Sequence, residues 1–210
     1  MTWLRRNRWG LILLPVALAL AIAASSSRVV HFWWPYGPNE VSSGAVGEKV
    51  NLTQDWQDRS GKYVREVDVT VVSVEPTTVV RDWDNGDMEA KGPAGTKIWR
   101  VSLAFEAPTD AVIWGCQLQV IDDQGREFPY NTTPIKPNRM KTSPCLNSDE
   151  TGPEPALTTG EKHKTEHPRP ASWETVADVI TAGDAVPSKV RIWWEYPKVI
   201  EIDVPRATSL

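Results

Sequence analysis

Between Trp9 and Ser27 the chain carries no charged residue, and Arg5, Arg6 and Arg8 stand directly before that stretch. Its centre, Gly10 to Ala24, is almost wholly Leu, Ala, Val and Ile, interrupted by Pro15. A segment of this kind must be covered by protein or by lipid. As a helix its 19 residues would reach about 28 Å, close to the roughly 30 Å of a bilayer's hydrocarbon core. The arginines before it, against a lone Arg28 after it, predict an N-terminus inside and the bulk of the chain outside. The division that follows is a cytoplasmic basic stub at 1–8, a single transmembrane helix at 9–27, a tether at 28–47 and an extracytoplasmic domain at 48–205. Ala21-Ile22-Ala23 also offers the small-x-small exit of a cleaved signal peptide, which would secrete the domain after cleavage near Ala23. Ser25 to Ser27 can prolong the helix, however. Arg28, His31, Phe32, Trp33, Trp34 and Tyr36 then resemble an interfacial aromatic belt with a snorkelling cation. That belt favours an uncleaved signal anchor. The alternative for Trp33 and Trp34 is a tether or first strand packed on the domain.

Charge narrows the partners. All 27 acidic residues but only 20 of the 23 basic ones lie beyond Ser25, so the exported part carries −7 and the whole chain −4. There is no basic surplus to neutralise phosphates, which argues against nucleic acid, and the exported part is not drawn to anionic lipid. The membrane, through the N-terminal helix, is the one partner the sequence names; another envelope protein is the next candidate. Two cysteines in an oxidising compartment imply a disulfide, and Cys116–Cys145 would close a loop of 30 residues. Their separation is too long for a C-x-x-C redox or metal pair, and no histidine stands beside either. With three histidines in all, no cofactor is called for.

The rest of the chain alternates. Val67, Val69 and Val71 alternate with polar residues, and the phase slips at Val71-Val72, which predicts a bulge. Trp99, Val101, Leu103 and Phe105 mark the clearest half-buried strand. Trp114, Cys116, Leu118 and Val120 give the next inward face, followed by a turn at Asp122-Asp123-Gln124-Gly125 and a short return strand to Tyr130. Residues 131–171 hold seven prolines and few large apolar side chains, and read as a long Pro-rich loop, poorly ordered beyond Cys145. Strands resume at Trp173–Ile180, with a turn at Thr181–Asp184. Val190, Ile192, Trp194 and Tyr196 form one face of the next strand, and Ile200, Ile202 and Val204 finish the sheet. Eight or nine short strands, with no helical period beyond the apolar run, predict an all-β, antiparallel sandwich.

Several pieces of this order are familiar. They are the glycines Gly44 and Gly47, the V-x-V-x-V of Val67–Val71, the W-R-V-S-L of Trp99–Leu103, and the hairpin Gln117-Leu118-Gln119-Val120-Ile121-Asp122-Asp123-Gln124-Gly125-Arg126-Glu127-Phe128. Over residues 44–130 the chain resembles the Ig-like extracytoplasmic domains of Gram-positive, actinobacterial organisms, a group that includes secreted mycobacterial immunogenic antigens. The resemblance implies an Ig-like fold and a non-enzymatic role. The insert at 131–171 departs from a compact member.

Three sites compete. Asp82, Asp84 and Asp87, in Asp82-Trp83-Asp84-Asn85-Gly86-Asp87, are the densest set of hard oxygen ligands and give a weak calcium candidate. The EF-hand spacing fails, because its sixth position is Asp87 and its twelfth is Pro93. Asn85-Gly86 favours a plain hairpin turn instead. His163 and His167, beside Glu161 and Glu166, have the spacing of a helical metal pair but lie in a segment that reads as a solvated loop. Trp193 should point outward, because its strand neighbours on that face are Arg191 and Glu195. An outward tryptophan between charges suits an interface or a glycan-stacking spot, unless a loop covers it. Trp83 is a second exposed candidate. No G-x-S-x-G or Gly-rich phosphate loop is present. The leading reading is a binding or accessory module of the envelope; a calcium module and a structural spacer in a membrane complex are the alternatives.

Overall fold

The computed structural model describes residues 2–130, 141 and 143–205. Helix α1 covers Thr2–Arg6 and α2 covers Arg8–Arg28. A π turn, Val29–Trp33, and a 3-10 turn, Trp34–Tyr36, carry the helix on, so the rod Arg8–Tyr36 has 29 residues. The hydroxyls of Ser25, Ser26 and Ser27 donate to the carbonyls of Ile22, Ala23 and Ala24, which satisfies them within the helix's own groove. No residue of α2 is buried. Leu11, Ile12, Leu13, Leu14, Val16, Leu18, Leu20 and Ile22 all stand exposed. Covering a large aliphatic side chain is worth roughly 1.5–3 kcal/mol, so eight left in water forfeit about 12–24 kcal/mol, as much as or more than a domain's entire stability of roughly 5–15 kcal/mol. The rod is long and apolar enough to cross a membrane.

The tether expected at 28–47 is corrected. Val29–Tyr36 continue the helix, and only Gly37, Pro38 and Asn39 separate it from strand β1 (Glu40–Ala45). The strands that follow are β2 (Lys49–Gln57), β3 (Lys62–Thr77), β4 (Val79–Arg81), β5 (Asp87–Glu89), β6 (Thr96–Glu106), β7 (Gln117–Asp122), β8 (Glu127–Pro129), β9 (Ser172–Ala182), β10 (Pro187–Trp193) and β11 (Lys198–Asp203). One sheet has the order β2-β3-β6-β9 and the other β1-β11-β10-β7-β8, with β4-β5 a separate hairpin. From β6 to β11 the chain visits the two sheets in the order of strands B, C, C′, E, F and G of an immunoglobulin domain. The expected all-antiparallel pairing fails at one edge, where β1 runs parallel to β11. The helix delivers β1 to the end where β11 begins, so both run the same way. Gly44 makes this fit: a Cβ there would lie 2.5 Å from Cγ2 of Val50.

The core follows the alternation. Val67, Val69, Val71, Val101, Leu103, Phe105, Leu118, Val120, Val190, Ile192, Ile200 and Ile202 are each 1% exposed or less. The register shifts between Val71 and Ser73, and the bulged Val72 turns out to solvent. Two tryptophans depart from expectation. Trp99 is only half-buried, with the Lys97 ammonium 5.8 Å above its ring. Trp114 is exposed, and Ile113 takes the core place. The strand β7 begins only at Gln117, and Gly115, at φ +83°, breaks the alternation before it. Trp194 is buried, its indole N–H donating to the Ile113 carbonyl at 2.8 Å.

Cys116 and Cys145 are joined in a disulfide, both buried. Residues 131–140 and 142 of the expected loop lie outside the described residues. The remainder, 143–171, has no helix or strand, yet it is fastened to itself and to the sandwich. Gly152 N–H donates to the His167 carbonyl and Glu154 N–H to the Lys164 carbonyl, both at 2.8 Å. Asn147 donates to the Glu174 carbonyl of β9 at 3.1 Å, and Arg169 is buried. The expectation of a poorly ordered segment beyond Cys145 is corrected by these bonds, which low apolar content conceals, while most of 157–168 is exposed as expected.

Candidate functional site

The alternation of β2 turns Val50, Leu52, Gln54 and Trp56 inward. Trp56, at the end of that row, closes the sandwich beside the turn to β3. The Arg65 guanidinium lies 4.9 Å from its ring and 5.7 Å from that of Trp194. Tyr63 and His163 also pack against Trp56, with ring centroids 5.3 and 5.8 Å away. Arg65 is buried; its Nε donates to the Val112 carbonyl at 3.0 Å. Burial pushes its pKa down to about 10, against the pull of Glu195. A second buried guanidinium, Arg169, donates to the carbonyls of Pro108 (2.7 Å) and Ala111 (3.3 Å) and lies 4.0 Å over Trp173. Burial holds its pKa at about 10 as well. Both remain charged at neutral pH, and together they clamp the segment between β6 and β7. That segment forms one wall of a cleft of about 560 Å³ lined by Trp56, Tyr63, Glu66, Asp110, Val112 and His163.

The other wall is fastened by Asp58. Its Oδ1 accepts the Ser60 N–H (2.8 Å) and hydroxyl (2.7 Å). Its Oδ2 accepts the Ala156 N–H and meets His163 Nε2, both at 2.8 Å. Ser60 Oγ also lies 2.8 Å from the Tyr63 hydroxyl and 3.2 Å from His163 Nε2. Desolvation disfavours the charged carboxylate, but the hydrogen bonds from Ser60, Ala156 and His163 outweigh it and hold the pKa well below the carboxylate range.

Asp, His and Ser, the residue types of an acyl-transfer triad, thus meet here. In a triad the carboxylate and the nucleophile hold opposite imidazole nitrogens. Here both touch Nε2. When Asp58 takes the Nε2 proton, no lone pair is left there for the serine, whose hydroxyl is turned to Asp58. The arrangement pins the 156–163 segment to the sandwich and does not activate a nucleophile. A folded-state pKa below the unfolded value of about 3.9 gives stability that is complete above that value and is lost as pH falls through the folded-state pKa. The gap in melting temperature between wild type and Asp58→Asn should therefore be constant above about pH 5 and narrow below about pH 4. A gap that widened in acid would contradict this assignment.

Of the residues singled out in the sequence, Trp193 stands on the outer face of its sheet, half-buried, its ring stacked on Tyr196 at 5.7 Å. Arg191, on the same face, is held by Glu201 (2.8 and 2.7 Å) and by Glu127 (2.9 Å). Glu195 lies beyond the end of β10 and is exposed; its carbonyl accepts from Gln54. Trp83 is exposed in the β4–β5 hairpin, its indole N–H donating to Asp84 at 3.1 Å. The structure does not bring the two tryptophans together. Arg5, Arg6, Arg8, Arg28, Trp33 and Trp34 are all exposed along the helical N-terminus, apart from the sandwich.

The aspartates around Trp83 build a turn. Asp82 Oδ1 accepts the N–H groups of Asp84 (2.9 Å) and Gly86 (3.0 Å). Asp87 meets Arg81 and both terminal nitrogens of Arg100 at 2.9–3.1 Å. The bonds from Arg100 first, then Arg81, hold its pKa below the usual range despite partial burial. Among the described residues no group of three His, Cys, Asp or Glu is placed to hold a metal ion. His163 and His167 do not converge, because their segment is not helical. Millimolar Ca²⁺ should leave the melting temperature unchanged. A rise of several degrees would restore the calcium reading.

The cleft leaves no trace in the sequence. Asp58-Arg59-Ser60 has the form of an Asx turn, but no local signal pairs it with a histidine 105 residues later.

No family model and no curated protein sequence matches the chain. Similar solved structures include the secreted protein MPT63 of Mycobacterium tuberculosis, at 14% identity over 77% of this chain and 95% of that one, with a TM-score of 0.39. An uncharacterized beta-sandwich protein of Clostridium difficile is similar at 8% identity over 79% and 95%, TM-score 0.39. A conserved hypothetical protein of Bacillus anthracis is similar at 11% identity over 70% and 89%, TM-score 0.33.

Proposed function

We propose that this chain is a single-pass membrane protein of the cell envelope whose Ig-like sandwich works outside the membrane as a non-catalytic binding or accessory module. The observation that carries the reading is the bare apolar rod Arg8–Tyr36, none of whose residues is buried. A helix apolar on every side needs lipid around it. Arg5, Arg6 and Arg8 orient it with the N-terminus inside. The buried Cys116–Cys145 disulfide fits an oxidising exterior.

The partner contact falls on the outer face at Trp193 and Tyr196. Arg191 is occupied by Glu201 and Glu127, which leaves the aromatic pair as the distinctive surface there. Trp193→Ala should cost roughly 1–2 kcal/mol, for a half-buried ring and its stacking on Tyr196, and leave the fold intact. It should abolish co-isolation of an envelope protein with the detergent-solubilised full chain. Trp83→Ala tests the second exposed tryptophan in the same way. Undiminished co-isolation with both variants would place the interface elsewhere.

A further inference from the structure

Of the large apolar side chains the sandwich exposes, Val41, Tyr63, Val64, Trp114 and Leu157 lie at the end that meets the helix, and Val72, Trp83 and Val186 lie elsewhere. Glu40 N–H donates to the Pro197 carbonyl at 3.0 Å, which fixes the start of β1 at the turn between β10 and β11. The Lys198 ammonium donates to the Thr53 carbonyl at 2.7 Å, and Gln54 donates to the Glu195 carbonyl. The far part of β2, and with it the turn from Gln57 to Lys62, therefore lies at this same end. Trp114 joins them, because Trp193 pairs with Gln117 at the start of β7. So does Leu157, whose neighbour Ala156 is held by Asp58 in the β2–β3 turn. Val64 and Leu157 are 61% and 79% exposed, and Tyr63 and Trp114 are exposed as well.

The covalent geometry puts this end near the lipid. A rod of 29 residues measures about 44 Å, the thickness of a bilayer with its headgroup layers, roughly 40–45 Å. With Arg8 at the inner surface, Trp33, Trp34 and Tyr36 reach the outer headgroups. Gly37, Pro38 and Asn39 then allow at most about 11 Å before β1 begins.

Resting on the anchor reading above, we infer that the cleft end of the sandwich docks on the outer leaflet of the bilayer that holds its own helix, with Tyr63, Val64, Trp114 and Leu157 in the headgroup layer. Tyrosine and tryptophan suit that layer, where one edge of the ring is apolar and the other wet. Arg59, Lys62 and Lys198 stand at this end among Asp55, Asp110 and Glu195, so apolar contact drives the docking and anionic lipid is not needed. The cleft between the Tyr63–His163 wall and the segment joining β6 to β7 then opens at the membrane surface.

The test uses the full-length, disulfide-bonded protein in phosphatidylcholine vesicles that contain a headgroup-nitroxide lipid. A fluorophore is attached to a cysteine introduced by Leu157→Cys or, at the opposite end of the sandwich, by Val186→Cys. Both sites are exposed. Quenching should be several-fold stronger at position 157 than at 186, should be the same when phosphatidylglycerol is added, and should fall in the Tyr63→Ala, Trp114→Ala background. Equal, weak quenching at both positions in protein that resists carbonate extraction would overturn the docking and leave the anchor standing. Release of the protein by carbonate would overturn both.

Discussion

Replacing Cys116 and Cys145 together by alanine is expected to lower the stability of the sandwich by about 3.5 kcal/mol, the chain-entropy value for a closed loop of this length. For a domain of this size that is a fall of roughly 7–14 °C in melting temperature. Both sulfurs are buried, and alanine leaves only small voids. The cross-link also fixes the place where the loop closes the core. The Cys145 carbonyl accepts the Trp173 indole N–H at 2.8 Å, and Trp173 stacks on Phe105 with centroids 5.2 Å apart. Thermal unfolding of the detergent-solubilised chain, oxidised and reduced, measures the effect. Reduced wild type should melt with the double variant. A loss below about 1 kcal/mol would mean that the Arg169 clamp and the Asp58 anchor hold the loop without the covalent bond.

Arg100→Met should be as damaging by a different route. Asp178 is almost fully buried and receives Nε and Nη2 of Arg100 at 2.8 and 3.1 Å, as well as the Arg81 N–H at 2.5 Å. The Asp178 hydrogen bond, then that of Asp87, raises the Arg100 pKa against partial burial. Without the guanidinium, Asp178 is a buried carboxylate stripped of its bidentate cation, a loss of roughly 3–5 kcal/mol. Removing the charge as well should reverse much of this. Arg100→Met with Asp178→Asn keeps an acceptor for the Arg81 N–H and should recover at least half of the loss in chemical denaturation. A double variant no more stable than Arg100→Met alone would show that packing around Arg100, and not the stranded charge, sets the cost.

Much of the sandwich was legible because a half-buried strand must alternate. The inward rows at Val67–Val71 and Val101–Phe105, the slip at Val72, and the opposite faces of Trp193 and Trp194 all follow from that period of two. The illegible parts depend on distant contacts. Strand β1 is a short, Gly- and Ser-containing segment that becomes a strand only because β11, at the other end of the chain, runs beside it. Trp114 reads as inward until Gly115 breaks the strand. Lys141 carries no local signal for burial, yet it is buried, its ammonium donating to Thr175 Oγ1. Burial, then the positive charge of Arg81, pushes its pKa down to about 7. The cleft needs Asp58 and His163 to meet across the loop, and neither residue's surroundings in sequence announce the other.

The anchored, outside-facing arrangement is tested most directly by external protease on sealed right-side-out vesicles, with carbonate extraction of a separate sample. The account predicts that the full chain stays in the pellet and that protease removes the sandwich, leaving little more than residues 1–39 in the membrane. Recovery of the intact chain in the cytosolic fraction, with both cysteines titrating as free thiols, would contradict it.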